Sequence, residues 1–577
     1  MNGGVNEGDS SQLDRQLENK RQGIMKKYII GIDTGGTYTD AVLIESDSGA
    51  VIATAKEPTT HYHLATGTGQ ALASLLQSSG VAAADIQQLA VSTTLATNAV
   101  VEGKGARVAL FVIGYVKHFR LPVVAVVFIK GGHTIQGMEE EPLDLDNLVD
   151  TVHGLAREVD AYAVCSAMSM ENPTHELVAE KAIGMLDPKP VFCSHRISRQ
   201  AGMRERAATA ALHAKLMPLM QDYISGIQVA MIEHGLCCPV VIIGGNGQTV
   251  SFDQAVERAG VTVASGPACT AHFGSLQTSG DALVIDVGGT TTDIAMIENG
   301  RPLMAADGCQ IGEWQTHVEA IDMFTGGIGG DSHVVVDEHG VLHIGPTRVV
   351  PLCMAGALPA ASQWLGAGSS ARCIGLVAGA DVVEGLDDPV LTFLRQNGPA
   401  TPAAIGSAIG LSSVPLEKHL EGLARKQLIF EAGFTPTDAL HALGLIGIGN
   451  PEAAMDGAAI LARLKGKEME QFCQEVLRGT EKQIEDLIID YIIHRYWGKS
   501  LTSFITNRDR HAVLGVEFSL KIPLIGIGAA SRYFLPGVAK RLATTISFPD
   551  HCEVGNAIGA ALLGKTAAAF GMKVGAY

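Results

Sequence analysis

Gly31-Ile-Asp-Thr-Gly-Gly-Thr-Tyr-Thr-Asp40 is the stretch that decides the fold, because the chain repeats it as Ile285-Asp-Val-Gly-Gly-Thr-Thr-Thr-Asp293. Both copies read Asp-x-Gly-Gly-Thr-x-Thr-Asp and lie between two short apolar runs. Apolar runs joined by a Gly-Gly turn predict β-hairpins. An ordinary hairpin would explain either copy alone, but turn chemistry does not require the same Asp and Thr positions twice. The repeat therefore predicts two copies of one functional unit.

The glycine turns are predicted to bind an anion. Adjacent glycines permit positive φ and leave no side chain between the backbone amides and a ligand. The predicted amide and hydroxyl contacts are Thr34, Gly35, Gly36, Thr37, Gly288, Gly289 and Thr290. Asp33 and Asp286 would repel a phosphate, so we expect them to act through a Mg²⁺ ion and its waters. Asp40 and Asp293 either position the attacking group or cap their hairpins, and the sequence favours neither role.

Composition sets the broad class. A chain of 577 residues exceeds one hydrophobic core and predicts two to four domains. The net charge of −18 argues against nucleic acid or an anionic membrane as the main partner. Ten cysteines without a C-x-x-C pair indicate neither a zinc site nor a disulfide framework, and predict reduced thiols in a cytoplasmic protein. No apolar run has the length of a membrane span. Residues 1–27 lack the apolar core of a signal peptide and are predicted to be a disordered tail.

Further patterns indicate α/β layers. The apolar runs 107–113 and 123–129 are typical of strands buried on both faces, and they alternate with segments of helical spacing. A loop at residues 322–332 holds more glycines than a turn needs, so we expect close backbone approach to a ligand. A small-residue segment at 554–561 predicts a helix packed closely against a sheet. The glycines assigned to ligand contact are Gly326, Gly327, Gly329, Gly330, Gly526 and Gly528.

Taken together, these residues carry a family resemblance. The paired hairpins resemble the two phosphate loops of the actin, sugar-kinase and heat-shock ATPase superfamily. The surrounding segments are similar to the hydantoinase A/5-oxoprolinase family and run in that family's order. These segments are Thr93–Ala99, Lys104–Arg107, Asn172–Glu176, Ser265–Ala268, Asp322–Ser332 and Thr435–Asp438.

The resemblance implies an α/β fold of two actin-like (ribonuclease H-like) domains around a nucleotide cleft. The domains are predicted at 28–280 and at 281–386 with 434–577. ATP and Mg²⁺ are the implied cofactors, with Asp33 and Asp286 as metal ligands, and with Asp40 and Asp293 as further catalytic candidates. The implied reaction is ATP-driven opening of a cyclic amide, such as a hydantoin or 5-oxoproline, through phosphorylation of the amide oxygen, or a related carboxylation. A second catalytic subunit of the hydantoinase B type, in a homo- or hetero-oligomer, is the implied partner.

The chain also departs from the family pattern. Val91-Ser92 stands where the family usually has His-Gly, Phe324 where it has His, and Asp331 where it has Gly. The C-terminal part is shorter than usual. Histidines at such positions are candidate proton-transfer groups, so ATP binding is better supported than lactam chemistry. An alternative is an ATP-dependent activator or reactivating chaperone of another enzyme. A transcription regulator would need specific DNA binding, which the acidic charge disfavours.

A last segment, residues 387–433, resembles a small three-helix winged-helix unit. A DNA reader would need a basic recognition helix. The candidate helix carries Glu417, Lys418, His419 and Glu421 and is nearly neutral. We therefore predict an insert that docks a partner or shapes the cleft.

Overall fold

The computed structural model describes residues 27–36, 38–59, 64–101, 103, 105–114, 117–197, 201–306, 308–311, 314–368, 371–377, 388–425, 428–498, 501–508 and 515–569. The chain forms two compact units. The first unit comprises the described parts of Met1–Phe273, Met304–Ile321 and Asn556–Tyr577. The second comprises the described parts of Gly274–Leu303 and Asp322–Gly555. The domain boundaries taken from the sequence stay predictions, and the predicted tail lies outside the described residues except for Lys27.

The strands are short and follow the apolar runs of the sequence. In chain order they are β1 Tyr28–Thr34, β2 Tyr38–Glu45, β3 Val51–Pro58, β4 Ile86–Thr93, β5 Val108–Ile113, β6 Ala125–Ile129, β7 Ala161–Ser166, β8 Val191–Cys193, β9 Val240–Ile243, β10 Thr249–Val250, β11 Ala282–Val287, β12 Thr292–Glu298, β13 Arg301–Pro302, β14 Gln310–Ile311, β15 Trp314–Gln315, β16 Met323–Gly326, β17 Ser332–Val336, β18 Leu342–Arg348, β19 Val350–Pro351, β20 Arg372–Leu376, β21 Ile429–Gly433, β22 Leu524–Ile527 and β23 Ile546–Ser547.

The helices alternate with these strands through most of the chain. They are α1 Leu64–Ser79, α2 Leu95–Val101, α3 Leu145–Leu155, α4 Thr174–Leu186, α5 Met203–Glu233, α6 Phe252–Glu257, α7 Ser265–Ser275, α8 Pro389–Asn397, α9 Pro402–Ile409, α10 Ser413–Arg425, α11 Pro436–Ala442, α12 Pro451–Leu464, α13 Met469–Trp497, α14 Thr502–Asn507, α15 Ser531–Arg541 and α16 Gly555–Ala569. No helix in these described ranges is both long enough and apolar enough to cross a membrane.

The main sheet of the first unit has the order β10-β9-β4-β1-β2-β3. β1, β2 and β3 are an antiparallel meander, while β4 and β9 run parallel to β1 on its other side. Helix α16 packs so closely on β1 that a Cβ at Gly31 would lie 2.1 Å from the carbonyl oxygen of Ala557. The predicted small-residue helix against a sheet is therefore confirmed.

The main sheet of the second unit repeats this plan. Its order is β13-β12-β11-β22-β23, with an antiparallel meander β11-β12-β13 and parallel strands β22 and β23 beyond β11. β16 pairs with β12 as an addition. The two sheets thus share strand order and strand direction. Both predicted hairpins, the α/β class and the actin-like (ribonuclease H-like) duplication are confirmed.

The first unit contains another sheet, with the order β6-β5-β7-β8 and all neighbouring strands parallel. Its core is formed by apolar residues of β5 and β7 with α3 and α4. β5 is fully buried, as predicted for a strand covered on both faces. The same prediction is wrong for β6, which is mostly half-buried because it lies at the sheet edge.

The predicted winged-helix-like segment forms α8, α9 and α10, followed by β21. Asp388 caps α8 and Thr401 caps α9, and each of these helices has proline in its first turn. The helices enclose a core of their own, which includes Leu391, Ile405 and Leu420. Amphipathic spacing in the sequence was sufficient to place all three helices.

Candidate functional site

The first hairpin places Asp33 and Asp40 directly opposite each other, near the end of β1 and near the start of β2. Asp33 is only 3% exposed. Its Oδ1 accepts a hydrogen bond from the Ser92 hydroxyl at 2.6 Å, and its Oδ2 accepts one from Asn556 Nδ2 at 3.2 Å. Asp40 forms an ion pair with Lys56 of β3 at 2.7 Å. The two acids therefore differ, since one is buried among neutral donors and the other is paired with a cation.

Burial is the main influence on the ionisation of Asp33. Loss of water around the carboxylate raises the pKa of Asp33 from 3.8 to about 6, while the Ser92 hydrogen bond lowers it and the nearby Asp40 raises it. A buried carboxylate of this kind gains from any cation or donor that approaches it. Gly266, at the start of α7, approaches the same group, because a Cβ there would lie 3.3 Å from Asp33 Oδ1.

The turn of the first hairpin is closed by its own backbone. The Gly35 N–H donates to the Tyr38 carbonyl at 3.0 Å. The hydroxyl of Thr34 is committed to a buried hydrogen bond with the Tyr223 hydroxyl at 2.7 Å. Thr37 lies outside the described residues. Any anion contact in this turn must therefore use amides beyond Gly35, beginning at Gly36.

The hydroxyl-rich segment after β4 connects the hairpin to its surroundings. The Thr94 N–H donates to the Thr34 carbonyl at 3.0 Å, and Thr93 Oγ1 donates to the same oxygen at 3.2 Å. The Thr97 hydroxyl accepts from the Ala264 N–H at 3.0 Å. Asn98 approaches the turn itself, since a Cβ at Gly36 would lie 3.0 Å from Asn98 Nδ2. These hydrogen bonds connect the end of β1 to the segment after β4, and connect that segment to the residue before α7.

The second hairpin has the same construction. Asp286 and Asp293 are opposite each other, and the Gly288 N–H closes the turn on the Thr291 carbonyl at 3.0 Å. Thr290 is exposed at the tip of this turn. Gly528, which has φ +89°, follows β22 directly beside Asp286, because a Cβ there would lie 2.3 Å from Asp286 Oδ1. Glycine is required at this position by both conformation and space.

The glycine-rich loop after β16 packs against that turn within the second unit. The Gly330 N–H donates to the Gly288 carbonyl at 3.0 Å, and the Asp331 N–H donates to the Gly289 carbonyl at 2.7 Å. A Cβ at Gly329 would lie 2.5 Å from the Gly289 oxygen. The close approach seen in the structure is thus to the backbone of the hairpin turn, and the predicted approach of this loop to a ligand stays a prediction.

Packing also accounts for other glycines of the predicted site. A Cβ at Gly326 would lie 2.4 Å from the Leu487 side chain, and one at Gly526 would lie 2.4 Å from the Phe548 ring. At Gly330 it would lie 2.8 Å from Thr437 Oγ1, whereas Gly327 makes only ordinary contact with Pro346. The interior of the second unit thus explains Gly326 and Gly526 without a ligand.

Asp293 has an unusual environment. Its Oδ1 is buried and has no hydrogen-bond partner within the described part of the chain. Burial raises the pKa of Asp293 to about 6, and the side chain of Thr325 on the neighbouring strand β16 lowers it. Asp293 therefore differs from Asp40, its counterpart in the first hairpin, which has a lysine partner.

At two positions where the family resemblance led us to expect histidine, the chain has apolar side chains. Val91 is fully buried in β4. Phe324 of β16 lies near Tyr491, with the ring centroids 6.0 Å apart. Neither side chain can transfer a proton.

Sequence reasoning missed Asn556 and Asn98 as neighbours of the first hairpin. It noted Asp331 only as a departure from the family pattern. The carboxylate of Asp331 lies against the second turn, since a Cβ at Gly289 would be 2.3 Å from Asp331 Oδ2, and Arg348 lies 3.5 Å from that oxygen. Only the Gly-Asn-Ala context of Asn556, in a segment of small residues, gave any signal.

Glu176, Cys193 and His195 are close enough together to share a metal ion. The Glu176 carboxylate, however, already accepts hydrogen bonds from the Ser166 N–H, the Ser194 hydroxyl, and both the N–H and Nδ1 of His195. A carboxylate with four donors is satisfied without a cation. This cluster therefore joins the ends of β7 and β8 as a structural group.

Two sheets of the same plan, each with an Asp-x-Gly-Gly hairpin turn, define an α/β protein of the actin-like class. The family model of the hydantoinase/oxoprolinase N-terminal region matches residues 29–185, and the hydantoinase/oxoprolinase model matches residues 206–361. The chain belongs to the hydantoinase A/5-oxoprolinase family.

Caprolactamase subunit alpha of Pseudomonas jessenii is 27% identical over 361 residues, which is 56% of this chain and 50% of that protein. Among solved structures, acetone carboxylase matches with a TM-score of 0.65 and 17% identity, covering 93% of this chain and 70% of that one. The ATP-dependent caprolactamase of P. jessenii matches with a TM-score of 0.60 and 22% identity, and the match covers 92% of this chain and 70% of the caprolactamase chain. The two structural matches concern the fold. The chain spans about half the length of the first curated relatives that it matches.

Proposed function

We propose that the protein is an ATP-dependent hydrolase that opens a cyclic amide of the hydantoin or 5-oxoproline type. The observation that carries the proposal is the duplicated hairpin, in which an acid at a strand end precedes a Gly-Gly turn and faces a second acid. Family membership supports the same reading, because a relative of this chain is a caprolactamase subunit and a related fold belongs to an ATP-dependent caprolactamase.

Each turn would hold phosphate oxygens of ATP through its own backbone. The N–H groups of Gly35 and Gly288 close their turns, so the contacts fall to the amides from Gly36 and from Gly289 onward. Thr290 is exposed and can add a hydroxyl. Thr34 would contribute only its backbone, because its hydroxyl has a buried partner.

The acids at the strand ends suit a hard divalent cation. Carboxylate oxygens are the ligands that Mg²⁺ prefers, usually with several waters retained. Asp33 and Asp286 would each be a ligand for hydrated Mg²⁺, and bound Mg²⁺ would neutralise charge on the transferring phosphoryl group. Ser92 and Asn556 fix the orientation of Asp33, while the absence of a Cβ at Gly528 leaves room beside Asp286.

Asp293 is a better candidate than Asp40 for positioning the attacking group. Its buried Oδ1 has no partner in the described residues, so a polar group of the substrate would satisfy it at no cost in lost hydrogen bonds. Asp40 is held by Lys56. The amide to be phosphorylated would thus approach from the second hairpin.

The test is ATP hydrolysis measured with a panel of cyclic amides, in the presence and absence of Mg²⁺. We expect strong stimulation by one small lactam or hydantoin and none by its open-chain amino acid. Asp286→Asn should abolish the hydrolysis while the variant remains folded. Unaltered ATP turnover in that variant would refute the site. A partner subunit of the hydantoinase B type, in a homo- or hetero-oligomer, is part of the proposal, so the assay should be repeated with such a subunit added.

A second candidate function is an ATP-dependent activator or reactivating chaperone of a partner enzyme. The apolar side chains of Val91 and Phe324 favour it, because they remove the proton-transfer groups expected for lactam chemistry. The insert with its own core offers a docking element. ATP hydrolysis that no cyclic amide stimulates, but that a partner protein does, would select this alternative.

A further inference from the structure

A pocket of about 400 Å³ opens on the second sheet of the first unit and shares no residue with the hairpins. It lies beyond the carboxyl ends of β6 and β7. The chain passes from β5 to β6 on one side and then to β7 on the other, so the strand order reverses at β5. Parallel sheets characteristically bind ligands in the crevice at such a point. The pocket is lined by His133, Glu139, Leu143, Leu145, Asn172, Thr174, His175 and Val178.

The loops beneath the pocket are tightly packed against one another. A Cβ at Gly114, after β5, would lie 2.4 Å from the Gly131 carbonyl oxygen, and one at Gly132 would lie 2.9 Å from the Cα of Gly114. All three glycines have positive φ. The His133 N–H donates to the Ala167 carbonyl of the loop after β7 at 3.3 Å. Three loops thus converge under His133 and fix its position.

The hydrogen bonds of His175 define the tautomer of its ring. Its Nδ1 accepts the Gly132 N–H at 2.9 Å, so Nδ1 is unprotonated and Nε2 bears the hydrogen. Nε2 then donates to Glu139 Oε1 at 3.0 Å. A histidine that ligates a metal presents an unprotonated nitrogen and usually donates from the other. His175 has the opposite arrangement, which disfavours a metal site.

The other polar side chains of the lining are already used. Asn172 Nδ2 donates to the Gly137 carbonyl at 2.9 Å, and Asn172 Oδ1 accepts from the N–H and hydroxyl of Thr174. Two groups remain for a ligand. Glu139 has a side chain that is 57% exposed, and His133, only 3% exposed, has a buried Nδ1 with no partner among the described residues.

The charge of these groups decides the ligand class. Burial, and then the neighbouring His175, lower the pKa of His133, while Glu139 raises it, and the net direction favours the neutral ring. The two imidazole centroids are 4.3 Å apart. Glu139 therefore gives the lining a net negative charge, while Leu143, Leu145 and Val178 supply an apolar wall.

We propose that this pocket binds a small aliphatic ammonium compound. The ammonium group would pair with the Glu139 carboxylate, the alkyl part would lie against Leu143, Leu145 and Val178, and His133 would offer its nitrogen as a further polar partner. The site requires neither ATP nor the hairpins, so it stands apart from the proposed hydrolase activity.

The probe is n-butylammonium, with butyrate as the anionic comparison, and binding is followed by saturation-transfer difference NMR on the full chain. We expect saturable binding of butylammonium and none of butyrate. Glu139→Gln should weaken binding at least tenfold, because it keeps an oxygen for His175 Nε2 but removes the charge. Glu140→Gln, which removes an exposed charge one residue away, should change binding less than twofold.

A second pair of variants tests the apolar wall. Val178→Phe should fill the pocket and abolish binding, whereas Leu177→Phe, on the same helix but outside the lining, should not. Equal weakening by the two glutamine variants would indicate general attraction to an acidic protein and overturn the proposal. So would binding of butyrate as strong as that of butylammonium, or saturable Zn²⁺ binding that Glu139→Gln removes.

Discussion

Asn556 Nδ2 donates a hydrogen bond to Asp33 Oδ2 at 3.2 Å, although the two residues are 523 positions apart in the sequence. Strand β1 thus carries an acid that helix α16 holds in place. Helix α16 can do this because it packs directly on β1, where Gly31 leaves room for the Ala557 carbonyl. The orientation of the proposed metal ligand therefore depends on the C-terminal helix as well as on its own hairpin.

Asn556→Ala should lower ATP turnover at least tenfold. A hydrogen bond to a charged group contributes about 1.5–3 kcal/mol, and about 1.4 kcal/mol corresponds to a tenfold change in rate. The measurement is kcat for ATP hydrolysis, with circular dichroism to confirm folding. Asn397→Ala, which removes an exposed asparagine whose side-chain amide donates to the Phe393 carbonyl, is the control and should leave turnover unchanged. Equal turnover in both variants would contradict a role for Asn556.

The hairpins were predictable because all their information is local. Apolar runs, a Gly-Gly turn and paired acids lie within a few residues, and the structure pairs Asp33 with Asp40 and Asp286 with Asp293. The insert was predictable for a similar reason, since helical spacing and caps are short-range signals.

The side-chain contacts of the site could not be predicted from the sequence, because they depend on packing between segments that are distant in the chain. Nothing near Thr34 indicates that its hydroxyl meets Tyr223, which lies in α5. Asp331 and Gly289 come together only when the glycine loop folds onto the turn. Local patterns therefore predicted the elements and their turns, but not which side chains of the site were already engaged.

Asp331→Asn should lower KM for ATP about fivefold. The Asp331 carboxylate lies against Gly289, where a phosphate is proposed, so it adds like charge that Arg348 at 3.5 Å only partly offsets. A pair of charges near a protein surface interacts by about 1 kcal/mol or more. KM is measured at constant Mg²⁺, and Asp337→Asn, an acid that follows β17 and pairs with His343, is the control. A raised KM would instead mean that Asp331 helps to bind the cation.

Gly329→Ala should destabilise the second unit by about 2 kcal/mol, the usual cost of forcing one extra carbon into a packed site. The added Cβ would lie 2.5 Å and 2.6 Å from the carbonyl oxygens of Gly289 and Gly288, and backbone cannot yield as a flexible side chain would. Urea denaturation gives the free energy of unfolding. Gly447→Ala, where a Cβ meets open space, should be nearly neutral. Matching midpoints for the two variants would show that the loop yields.

His213 should make the protein less stable as the pH falls. The ring is 2% exposed, stacks on Phe192 with centroids 4.3 Å apart, and its Nδ1 accepts the Gly260 N–H at 2.9 Å. Burial, and then the charge of Arg258, lower the pKa of His213 from 6.5 to about 3. A protonated Nδ1 could not accept that hydrogen bond.

The direction of this pH dependence follows from the pKa values of His213 in the unfolded and the folded protein. Between pH 6.5 and 3 the unfolded chain binds a proton that the folded chain refuses, so the free energy of unfolding falls by about 1.4 kcal/mol per pH unit from this group. His213→Asn removes the titration and should flatten that part of the stability curve, whereas His153→Asn, at an exposed position on α3, should leave it unchanged. Because other groups titrate in the same range, only the difference between the His213→Asn and wild-type slopes reports on His213. Parallel curves would mean that the folded protein accommodates the imidazolium, which requires the contact with Gly260 to open.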